Sequence, residues 1–261
     1  MKFALLGGKL GHSYSKIIHE MIYKKLNIDA SYDLIELDDE HLMEAINNLR
    51  NGKYDGYNVT IPHKINVMKY LDEISDEAKE IGAVNTISIC DGKVIGRNTD
   101  YYGFIESLRE FKIDVKNQNV ILLGSGGAAK ALYAGLKSLG GNILLAVREE
   151  DVKEGEKIGK TILLSEVINE NFDIIVNATP VGMYPNINES PLPEVVVKRA
   201  KAVFDVIYNP NVTKLMSYSK KSINGLYMLV SQAIKACEFF FQRDLGYLTM
   251  EIYEELKEVI F

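Results

Sequence analysis

Three polar side chains of different chemistry lie close together in the segment Asn58-Val59-Thr60-Ile61-Pro62-His63-Lys64. The segment begins as a short β-branched run typical of a strand and ends at Pro62, which has no N–H and a fixed φ. Asn58 and Thr60 are two residues apart, so both point to one side of that strand. Lys64 follows the strand end, where α/β folds gather their ligands. The segment predicts either a binding site of amide, hydroxyl and ammonium groups or an ordinary strand end with a solvated lysine.

Two serines, Ser13 and Ser15, stand before a helix that apolar residues at helical spacing predict from Ile17 onward. A single serine would be enough to cap such a helix. Two hydroxyls, together with the free backbone N–H groups at the positive end of a helix, would also bind a carboxylate or a phosphate. These residues alone leave both interpretations open.

A predicted hairpin brings Asn85 and Asp100 together. Asp91-Gly92 is a strong two-residue turn signal between the apolar runs 87–90 and 93–96. Asn85 precedes the first strand of the hairpin and Asp100 follows the second, so both lie near its open end. Asp100 therefore either faces the same cleft as Asn85 or caps the helix predicted over residues 101–111.

A glycine-rich turn changes the character of the chain after residue 118. The buried, parallel-type strand 119–123 is followed by Gly124-Ser125-Gly126-Gly127-Ala128-Ala129 and then by an apolar helix. Gly124, Gly126 and Ala129 fit the pattern G-x-G-x-x-G/A in the strand–turn–helix context that dinucleotide binding requires. This context favours nucleotide binding over a purely structural glycine turn.

The next predicted strand, 142–147, ends at Arg148 and Glu149. In a dinucleotide-binding fold an acidic side chain here binds the ribose hydroxyls of NAD, whereas an arginine accommodates the 2′-phosphate of NADP. Arg148 favours NADP, while Glu149 beside it would repel that phosphate. Residues 151–160 are charged and contain two glycines, which predicts a shortened crossover helix.

The composition excludes several classes of protein. The 261 residues are 47% hydrophobic and 25% charged, as in soluble globular proteins, and no apolar run approaches a membrane span. The net charge of −6 argues against nucleic acid or an anionic membrane as a main partner. The four histidines show no metal-ligand spacing, so we expect no metal. Cys90 and Cys237 are far apart, which predicts two buried thiols in a reducing cytoplasm.

These patterns divide the chain into two α/β units. Residues 1–101 are predicted to form one α/β unit, and residues 102–230 are predicted to form a Rossmann-like unit. The helices predicted within 231–261 have no strand of their own to cover. We therefore expect them to pack back on the first unit, which would bring Gln232 to a cleft between the two units.

Eight short segments, in this order and spacing, resemble the shikimate dehydrogenases over essentially the whole chain. They are Gly11-His12-Ser13-Tyr14-Ser15, Asn58 through Lys64, Gly82-Ala83-Val84-Asn85-Thr86, Asn98-Thr99-Asp100, Gly124-Ser125-Gly126-Gly127-Ala128, Asn177-Ala178-Thr179-Pro180, Tyr208-Asn209-Pro210, and Asn224-Gly225 through Gln232. The resemblance implies a substrate domain (1–101 with 231–261) and an NADP-binding domain (102–230). It also implies reversible NADPH-dependent reduction of 3-dehydroshikimate to shikimate, a step of aromatic amino acid biosynthesis.

The resemblance further implies roles for individual residues. Lys64 and Asp100 would be the catalytic pair, and Ser13 and Ser15 would bind the substrate carboxylate. The residues around the ring hydroxyls would be Asn58, Thr60, Lys64, Asn85, Asp100, Tyr208 and Gln232. The residues that hold the NADP phosphates would be Gly124, Ser125, Gly126, Gly127, Ala128 and Arg148. Further residues near the cofactor, by position, would be Asp76, Val206, Gly225 and Met228.

The chemistry of ketone reduction agrees with these roles. Hydride transfer to a ring ketone develops negative charge on the oxygen, which must be stabilised and protonated. A lysine ammonium does both, and Asp100 beside Lys64 would orient it and keep it charged. A small polyol carboxylate as substrate would explain the density of Asn, Ser, Thr and Gln at strand ends.

One departure from the family pattern concerns the cofactor. Members that use NADP commonly carry Asn-Arg-Thr after the second strand of the nucleotide domain, whereas this chain has Val147-Arg148-Glu149. NAD use therefore stays open, and one alternative is a quinate/shikimate dehydrogenase that uses NAD. An alternative of another class is a non-catalytic ligand-binding protein on the same scaffold. We expect a monomer or a homodimer.

Overall fold

The computed structural model describes residues 1–11 and 13–261, so His12 of the segment Gly11-His12-Ser13-Tyr14-Ser15 lies outside the described residues. The chain divides into two compact units. The first unit comprises residues 1–103 and 230–260, and the second comprises residues 104–229 with the terminal Phe261. The observed boundaries therefore fall at 103 and 230, where the sequence patterns place them at 101 and 231.

The strands and helices of the described residues have the following bounds. The strands are β1 (Lys2–Gly7), β2 (Ser31–Glu36), β3 (Gly56–Val59), β4 (Glu73–Ile74), β5 (Thr86–Cys90), β6 (Lys93–Arg97), β7 (Asn119–Leu123), β8 (Asn142–Val147), β9 (Thr161–Leu163), β10 (Ile174–Asn177), β11 (Ala202–Asp205) and β12 (Ser222–Ile223). The α-helices are α1 (Ser15–Lys25), α2 (Leu42–Arg50), α3 (Asp76–Ile81), α4 (Thr99–Glu110), α5 (Gly127–Ser138), α6 (Val152–Glu156), α7 (Glu194–Val197), α8 (Lys214–Ser217), α9 (Leu226–Phe241) and α10 (Thr249–Ile260). Short 3₁₀ helices span Asp39–His41, Asn66–Tyr70, Glu149–Asp151, Leu164–Asn169 and Gly246–Leu248.

The first unit is built on a mixed six-stranded sheet with the order β2-β1-β3-β5-β6-β4. β1 pairs in parallel with both β2 and β3, so the carboxyl ends of these three strands meet at one edge. β5 runs antiparallel to β3 and β6. The β5–β6 hairpin turns at Asp91-Gly92 as predicted, and both turn residues have positive φ (50° and 75°), as a tight hairpin turn requires.

The core of the first unit forms where α2 covers one face of this sheet. Leu42, Ile46 and Leu49 recur at helical spacing and form the buried stripe of α2. They pack in one cluster with Val59 of β3 and Ile87 of β5. This core fixes the strand ends from which the polar side chains project.

The two C-terminal helices pack back on the first unit, as predicted. The ring of Phe240 in α9 stacks on Phe3 of β1, with the ring centroids 4.7 Å apart. The ammonium of Lys25 in α1 lies 2.8 Å from the carboxylates of Glu251 and Glu255 in α10. Residue 232 in α9 therefore belongs to the same unit as the β3 end.

The second unit has the topology of a Rossmann fold. Its six strands follow the order β12-β11-β10-β7-β8-β9, and every neighbouring pair is parallel. With β7 counted as the first strand, this is the order 3-2-1-4-5-6 of doubly wound dinucleotide-binding sheets. The segment after β8 is shortened as predicted, because only the 3₁₀ turn Glu149–Asp151 and the five-residue α6 connect β8 to β9.

Both cysteines are free thiols in the described structure. Cys237 is buried, whereas Cys90 is only half-buried, so the prediction of two buried thiols is right for Cys237 alone. Across residues 1–11 and 13–261, none of the helices has both the length and the hydrophobicity that a membrane crossing needs. The same residues hold no group of three or more His, Cys, Asp or Glu side chains arranged to bind a metal ion.

Candidate active site

The side chain of Lys64 forms an ion pair with Asp100 in the first unit. Lys64 lies in the turn that follows β3, and its carbonyl accepts a hydrogen bond from the N–H of Val84. Asp100 lies within the first turn of α4, one residue after the helix begins at Thr99, so it is not the N-cap. Nζ and Oδ2 are 2.6 Å apart, and the two side chains are only 17% and 14% exposed. The structure therefore favours the interpretation of Asp100 as the partner of Lys64.

His63 anchors the turn that carries this lysine. It is 1% exposed, and its Nδ1 and Nε2 lie 2.7 Å from Oδ1 of Asp39 and 2.8 Å from the carbonyl oxygen of Leu37. The other carboxylate oxygen of Asp39 accepts a hydrogen bond from Asn66 at 2.5 Å. Residues on both sides of Lys64 thus bind one aspartate, which restrains the backbone between them.

Buried hydrogen bonds fix the amide of Asn58. Its Oδ1 accepts a hydrogen bond from the hydroxyl of Tyr32 at 2.8 Å, and its Nδ2 donates to the hydroxyl of Thr86 at 3.1 Å. The ring of Tyr32 stacks on His19, with the centroids 4.1 Å apart. Burial lowers the pKa of His19 to about 3, so this imidazole is neutral at pH 7. Both ends of the Asn58 amide are therefore oriented by partners that carry no charge.

Asn85 is held by three hydrogen bonds to one oxygen. Its Oδ1 accepts from the N–H of Thr99 at 2.6 Å and from the hydroxyls of Thr99 and Thr86 at 3.1 Å each. The Thr99 hydroxyl also lies 3.3 Å from Oε1 of Gln232 in α9. The structure therefore joins Asn85 and Gln232 in one network, which reaches Asn58 through Thr86.

Thr60 extends the line of β3 beside β1. Its N–H donates to the carbonyl of Leu6 at 2.9 Å. Its methyl group would lie 2.6 Å from a Cβ placed on Gly7, so the close approach of these two loops requires glycine. Thr60 directly follows the end of β3 at Val59, and its shared side with Asn58 stays a prediction.

The two serines lie at the start of α1, in the loop that follows β1. That loop contacts the lysine turn, because the N–H of Gly8 donates to the carbonyl of Ile61 at 3.0 Å. The Ser13 hydroxyl accepts from the N–H of Ser15 at 3.2 Å and lies 3.1 Å from the Ser15 hydroxyl. Tyr14 occupies the N-cap position and makes no side-chain cap hydrogen bond, so it is the Ser13 hydroxyl that binds the first N–H of α1. The capping and the anion-binding interpretations of the two serines therefore both stay open.

The glycine turn of the second unit fits a dinucleotide. Gly124 has φ +104°, in the region that glycine adopts freely, and its N–H donates to the carbonyl of Ala146 at 3.1 Å. Gly126 is the N-cap of the 12-residue α5, and a Cβ placed on it would meet no described atom within 4 Å. The first N–H groups of α5 lack intrahelical acceptors. Open space beside such N–H groups suits a pyrophosphate.

A buried carboxylate supports this turn from the neighbouring strands. Asp205 is 0% exposed and accepts hydrogen bonds from Asn177 at 2.9 Å, from the Thr213 hydroxyl at 2.7 Å and from a backbone N–H at 3.1 Å. Oδ1 of Asn177 accepts in turn from the N–H and the hydroxyl of Thr179. The methyl of Thr179 would lie 3.1 Å from a Cβ on Gly124. The chain of contacts from Asp205 therefore ends against the glycine turn.

The remaining cofactor candidates of the second unit lie where β11 ends and α9 begins. The N–H of Gly225 donates to the carbonyl of Ile207 at 3.1 Å. A Cβ on Gly225 would lie 2.0 Å from the carbonyl oxygen of Val206, so only glycine fits. Met228 is buried in the first turn of α9. Gly225 therefore contacts Val206, and the cofactor roles of Val206, Gly225 and Met228 stay predictions.

Arg148 directly follows β8 and is bound by two acidic residues. Nε and Nη2 lie 2.8 Å from Oδ2 of Asp151, and Nη1 lies 3.0 Å from Oε1 of Glu150. These carboxylates hold the pKa of Arg148 above its usual value. In the described part of the chain, the acidic partners of Arg148 are thus Glu150 and Asp151 rather than the Glu149 singled out in the sequence.

Two candidates, Tyr208 and Asp76, do not belong to the same unit as the other residues of their predicted sites. Tyr208 follows β11 in the second unit, whereas the other substrate candidates belong to the first unit. Asp76 begins α3 in the first unit, and its exposed carboxylate lies 3.1 Å from the ammonium of Lys79. The roles of Tyr208 and Asp76 stay predictions.

Sequence reasoning missed several residues that hold the site together. They are Tyr32, Asp39, Thr86, Thr99, Asp205 and Thr213. Thr86 and Thr99 lie within matched segments, directly after Asn85 and directly before Asp100, and that adjacency was the available signal. Tyr32 and Asp205 looked like ordinary strand residues, because their polar atoms find partners only once distant strands pair.

The fold and these side chains define a class of protein. A Rossmann sheet with an open glycine turn is typical of dinucleotide-binding proteins, and a shielded ammonium–carboxylate pair has the chemistry to bind and protonate a polar carbonyl compound. This combination is that of a dinucleotide-dependent oxidoreductase.

Comparison with known proteins identifies the family. Residues 5–87 match the family model of the shikimate dehydrogenase substrate binding domain. The NADP(+) shikimate dehydrogenase of Clostridium perfringens is 42% identical over 98% of both chains. A chorismate mutase/shikimate 5-dehydrogenase fusion protein from Clostridium acetobutylicum is 40% identical, with a TM-score of 0.94 over 99% of this chain and 98% of that one. Shikimate 5-dehydrogenase from Thermus thermophilus, solved with NADP(H) and shikimate, is 28% identical, with a TM-score of 0.87 over 98% and 99%. The chain belongs to the shikimate dehydrogenase family.

Proposed function

We propose that this protein is an NADP-dependent shikimate dehydrogenase that interconverts shikimate and 3-dehydroshikimate. The observation that carries the proposal is the shielded pair of Lys64 and Asp100, 2.6 Å apart. Asn85 accepts from the N–H of Thr99, the residue before Asp100, and is joined to Asn58 through Thr86. The names of the related proteins support the same activity.

Lys64 is the residue that handles the proton. In the direction of reduction, its ammonium donates a hydrogen bond to the ketone oxygen of the substrate. The hydride is supplied by NADPH when it is bound. As negative charge develops on the oxygen, the ammonium stabilises it and then releases a proton to form the hydroxyl. Asp100 orients the ammonium, because its Oδ2 lies 2.6 Å from Nζ.

The polar network of the first unit supports recognition of a polyol. The amides of Asn58, Asn85 and Gln232 are held in place, so they meet substrate hydroxyls without first losing conformational freedom. Thr60, in the same unit, is proposed to contact the ring hydroxyls as well, and the substrate role of Tyr208 stays a prediction from the resemblance. Ser13 and Ser15, at the start of α1, bind the substrate carboxylate.

The second unit supports binding of the dinucleotide. The backbone of the turn from Gly124 to Ala128, at the start of α5, would hold the pyrophosphate. Arg148 would bind the 2′-phosphate. Val206, Gly225 and Met228 are proposed to lie along the rest of the cofactor, and the cofactor role of Asp76, in the first unit, stays a prediction from the resemblance. The first unit accordingly carries the substrate and the second carries the cofactor.

Substitution of Lys64 tests the catalytic proposal. Lys64→Ala removes the proton donor and should lower kcat/KM for shikimate by at least about 100-fold, the lower end of general acid–base contributions. Asp100→Asn keeps a hydrogen-bond acceptor and should cost less. Lys69→Ala, an exposed lysine whose ammonium lies over the ring of Tyr70, is the matched control and should keep wild-type rates. Wild-type turnover by a folded Lys64→Ala protein would exclude the proposed role.

One specific observation favours a second candidate function, dehydrogenation of shikimate or quinate with NAD. The pairing of Arg148 with Glu150 and Asp151 leaves its guanidinium less available for a 2′-phosphate. Relative kcat/KM values with NADP and NAD distinguish the two. A non-catalytic binding protein is disfavoured by the intact pair of Lys64 and Asp100.

The assembly and the cellular location also belong to this proposal. We propose a cytoplasmic monomer or homodimer, on the basis of the two free thiols and the net charge of −6. Sedimentation analysis of the purified protein distinguishes the monomer from the dimer.

A further inference from the structure

Arg148 is already occupied by carboxylates at the place where a 2′-phosphate would bind. We propose that Asp151, assisted by Glu150, competes with the 2′-phosphate of the dinucleotide for Arg148 and thereby sets how strongly this chain prefers NADP over NAD. The inference rests on the proposed function, because it requires that the Rossmann unit binds a dinucleotide.

The geometry shows which part of the guanidinium is blocked. Nε and Nη2 form the lateral edge of an arginine, the edge that binds carboxylates and phosphates through two parallel hydrogen bonds. Both of these nitrogens lie 2.8 Å from the same oxygen of Asp151. Nη1 lies 3.0 Å from Glu150. A phosphate that is to bind the lateral edge must first displace Asp151.

Local structure keeps Asp151 in this position. Arg148 is the N-cap of the 3₁₀ turn Glu149–Asp151, and residues three apart lie on the same face of such a turn. The side chain of Asp151 is 32% exposed, whereas that of Glu150 is 63% exposed. Asp151 is therefore the better ordered competitor, and Glu150 is the weaker one.

The size of the effect follows from the exposure of the pair. Exposed ion pairs are weak, and a 2′-phosphate with a charge near −2 would displace a carboxylate. The competition therefore reduces the affinity for the 2′-phosphate without abolishing it. Removing the Asp151 charge should strengthen binding by about three- to five-fold, the range that exposed ion pairs allow.

Binding of nucleotide fragments tests the inference without turnover. Isothermal titration calorimetry of 2′,5′-ADP and 5′-AMP compares a ligand that carries the 2′-phosphate with one that lacks it. Asp151→Asn should tighten 2′,5′-ADP by about three- to five-fold and change 5′-AMP by less than about two-fold. Glu150→Gln should tighten 2′,5′-ADP by a smaller factor.

Glu149→Gln is the matched control, because it removes the same charge from the same turn. It should change the affinity for 2′,5′-ADP by less than about two-fold, since Arg148 is paired with Glu150 and Asp151 instead. In an Arg148→Met background, Asp151→Asn should have no effect on 2′,5′-ADP, which confirms that the aspartate acts through the arginine.

The outcomes separate this inference from the proposed function. If both fragments bind and Asp151→Asn changes neither affinity, competition for Arg148 is refuted while dinucleotide binding stands. If Glu149→Gln tightens 2′,5′-ADP as much as Asp151→Asn, the effect is general charge repulsion and the inference is refuted. If neither fragment binds to any variant, the inference and the assignment of the dinucleotide site are both refuted.

Discussion

Replacing Asp205 by asparagine removes a negative charge from the buried end of β11, where it supports the glycine turn through Asn177 and Thr179. The exchange preserves the hydrogen bonds that the geometry requires. Oδ1 would still accept from Asn177 and from the backbone N–H of Ile207, whereas the hydrogen bond at Oδ2 would reverse: the Thr213 hydroxyl, which donates to the carboxylate, would accept from the new amide group. The substitution therefore tests the cost of the charge rather than the loss of contacts.

The magnitude follows from the pKa of this carboxyl group. Burial raises the pKa of Asp205 from 3.8 to about 6, although hydrogen bonds from Thr213, Ile207 and Asn177 lower it. Because the folded state binds this proton more tightly than the unfolded chain, the free energy of unfolding falls as pH rises through this range. The whole difference is worth about 3 kcal/mol, and about half of it lies between pH 5 and pH 8.

Urea denaturation followed by far-UV circular dichroism at pH 5 and pH 8 measures the effect. The free energy of unfolding of Asp205→Asn, relative to wild type, should increase by about 1.4 kcal/mol from pH 5 to pH 8. Asp173→Asn is the matched control in the same unit. The hydrogen bond from Lys201 lowers the pKa of Asp173, so its contribution is lost only as pH falls below 3.8. That variant should differ from wild type by a constant amount between pH 5 and pH 8.

If the difference in the free energy of unfolding between Asp205→Asn and wild type stays constant from pH 5 to pH 8, the predicted effect of burial on the pKa of Asp205 is refuted. It would mean that Asp205 binds its proton equally well in the folded and unfolded states. A decrease from pH 5 to pH 8 in the free energy of unfolding of Asp205→Asn relative to wild type would mean that the folded structure favours the carboxylate rather than penalising it.

Three further predictions concern Gly225, the glycine turn and the anchor of the lysine turn. Gly225→Ala should destabilise the protein by several kcal/mol, because its Cβ would lie 2.0 Å from the carbonyl oxygen of Val206. Gly126→Ala should cost at most about 1 kcal/mol but weaken 2′,5′-ADP binding at least about ten-fold; equal stability losses in the two variants would contradict this account. Asp39→Ala should lower kcat and reduce stability at pH 7, and the stability loss should disappear at acidic pH, because the hydrogen bond from His63 lowers the pKa of Asp39 below 3.8. The control Asp38→Ala should leave both unchanged, and a kcat loss as large as that of Asp39→Ala would contradict the anchor.

Much of the fold was predictable because its signals are local. The Asp91-Gly92 turn specifies a hairpin by its own backbone preference, and the structure forms it at that place. The glycine turn lies between a buried strand and a helix, and the strand order around it is that of the Rossmann fold. Such features need only neighbouring residues to be recognised.

The partners of buried polar groups were not predictable, because they depend on strand pairing. Tyr32 lies in β2 and Asn58 in β3, and β1 separates the two strands in the sheet. Their hydrogen bond exists only because β1 pairs with both strands in one particular register. In the sequence, Tyr32 looks like an ordinary aromatic residue of an alternating strand.

The acidic residues around Arg148 show a limit of reading neighbours in sequence. Glu149 is adjacent to Arg148, so it was the expected source of repulsion. The 3₁₀ turn places Asp151, three residues away, against the guanidinium instead. The 3₁₀ turn therefore determines which carboxylate binds Arg148, and the sequence of this segment did not predict that helix type.

The most direct test of the account is steady-state oxidation of shikimate by the purified protein, with NADP and NAD in parallel. We predict that the wild-type protein, in which Lys64 and the glycine turn are intact, oxidises shikimate and has a higher kcat/KM with NADP than with NAD. A higher kcat/KM with NAD would contradict the cofactor assignment and leave the chemistry in place. No turnover of shikimate with either cofactor would contradict the central claim that this protein is a shikimate dehydrogenase in activity as well as in family.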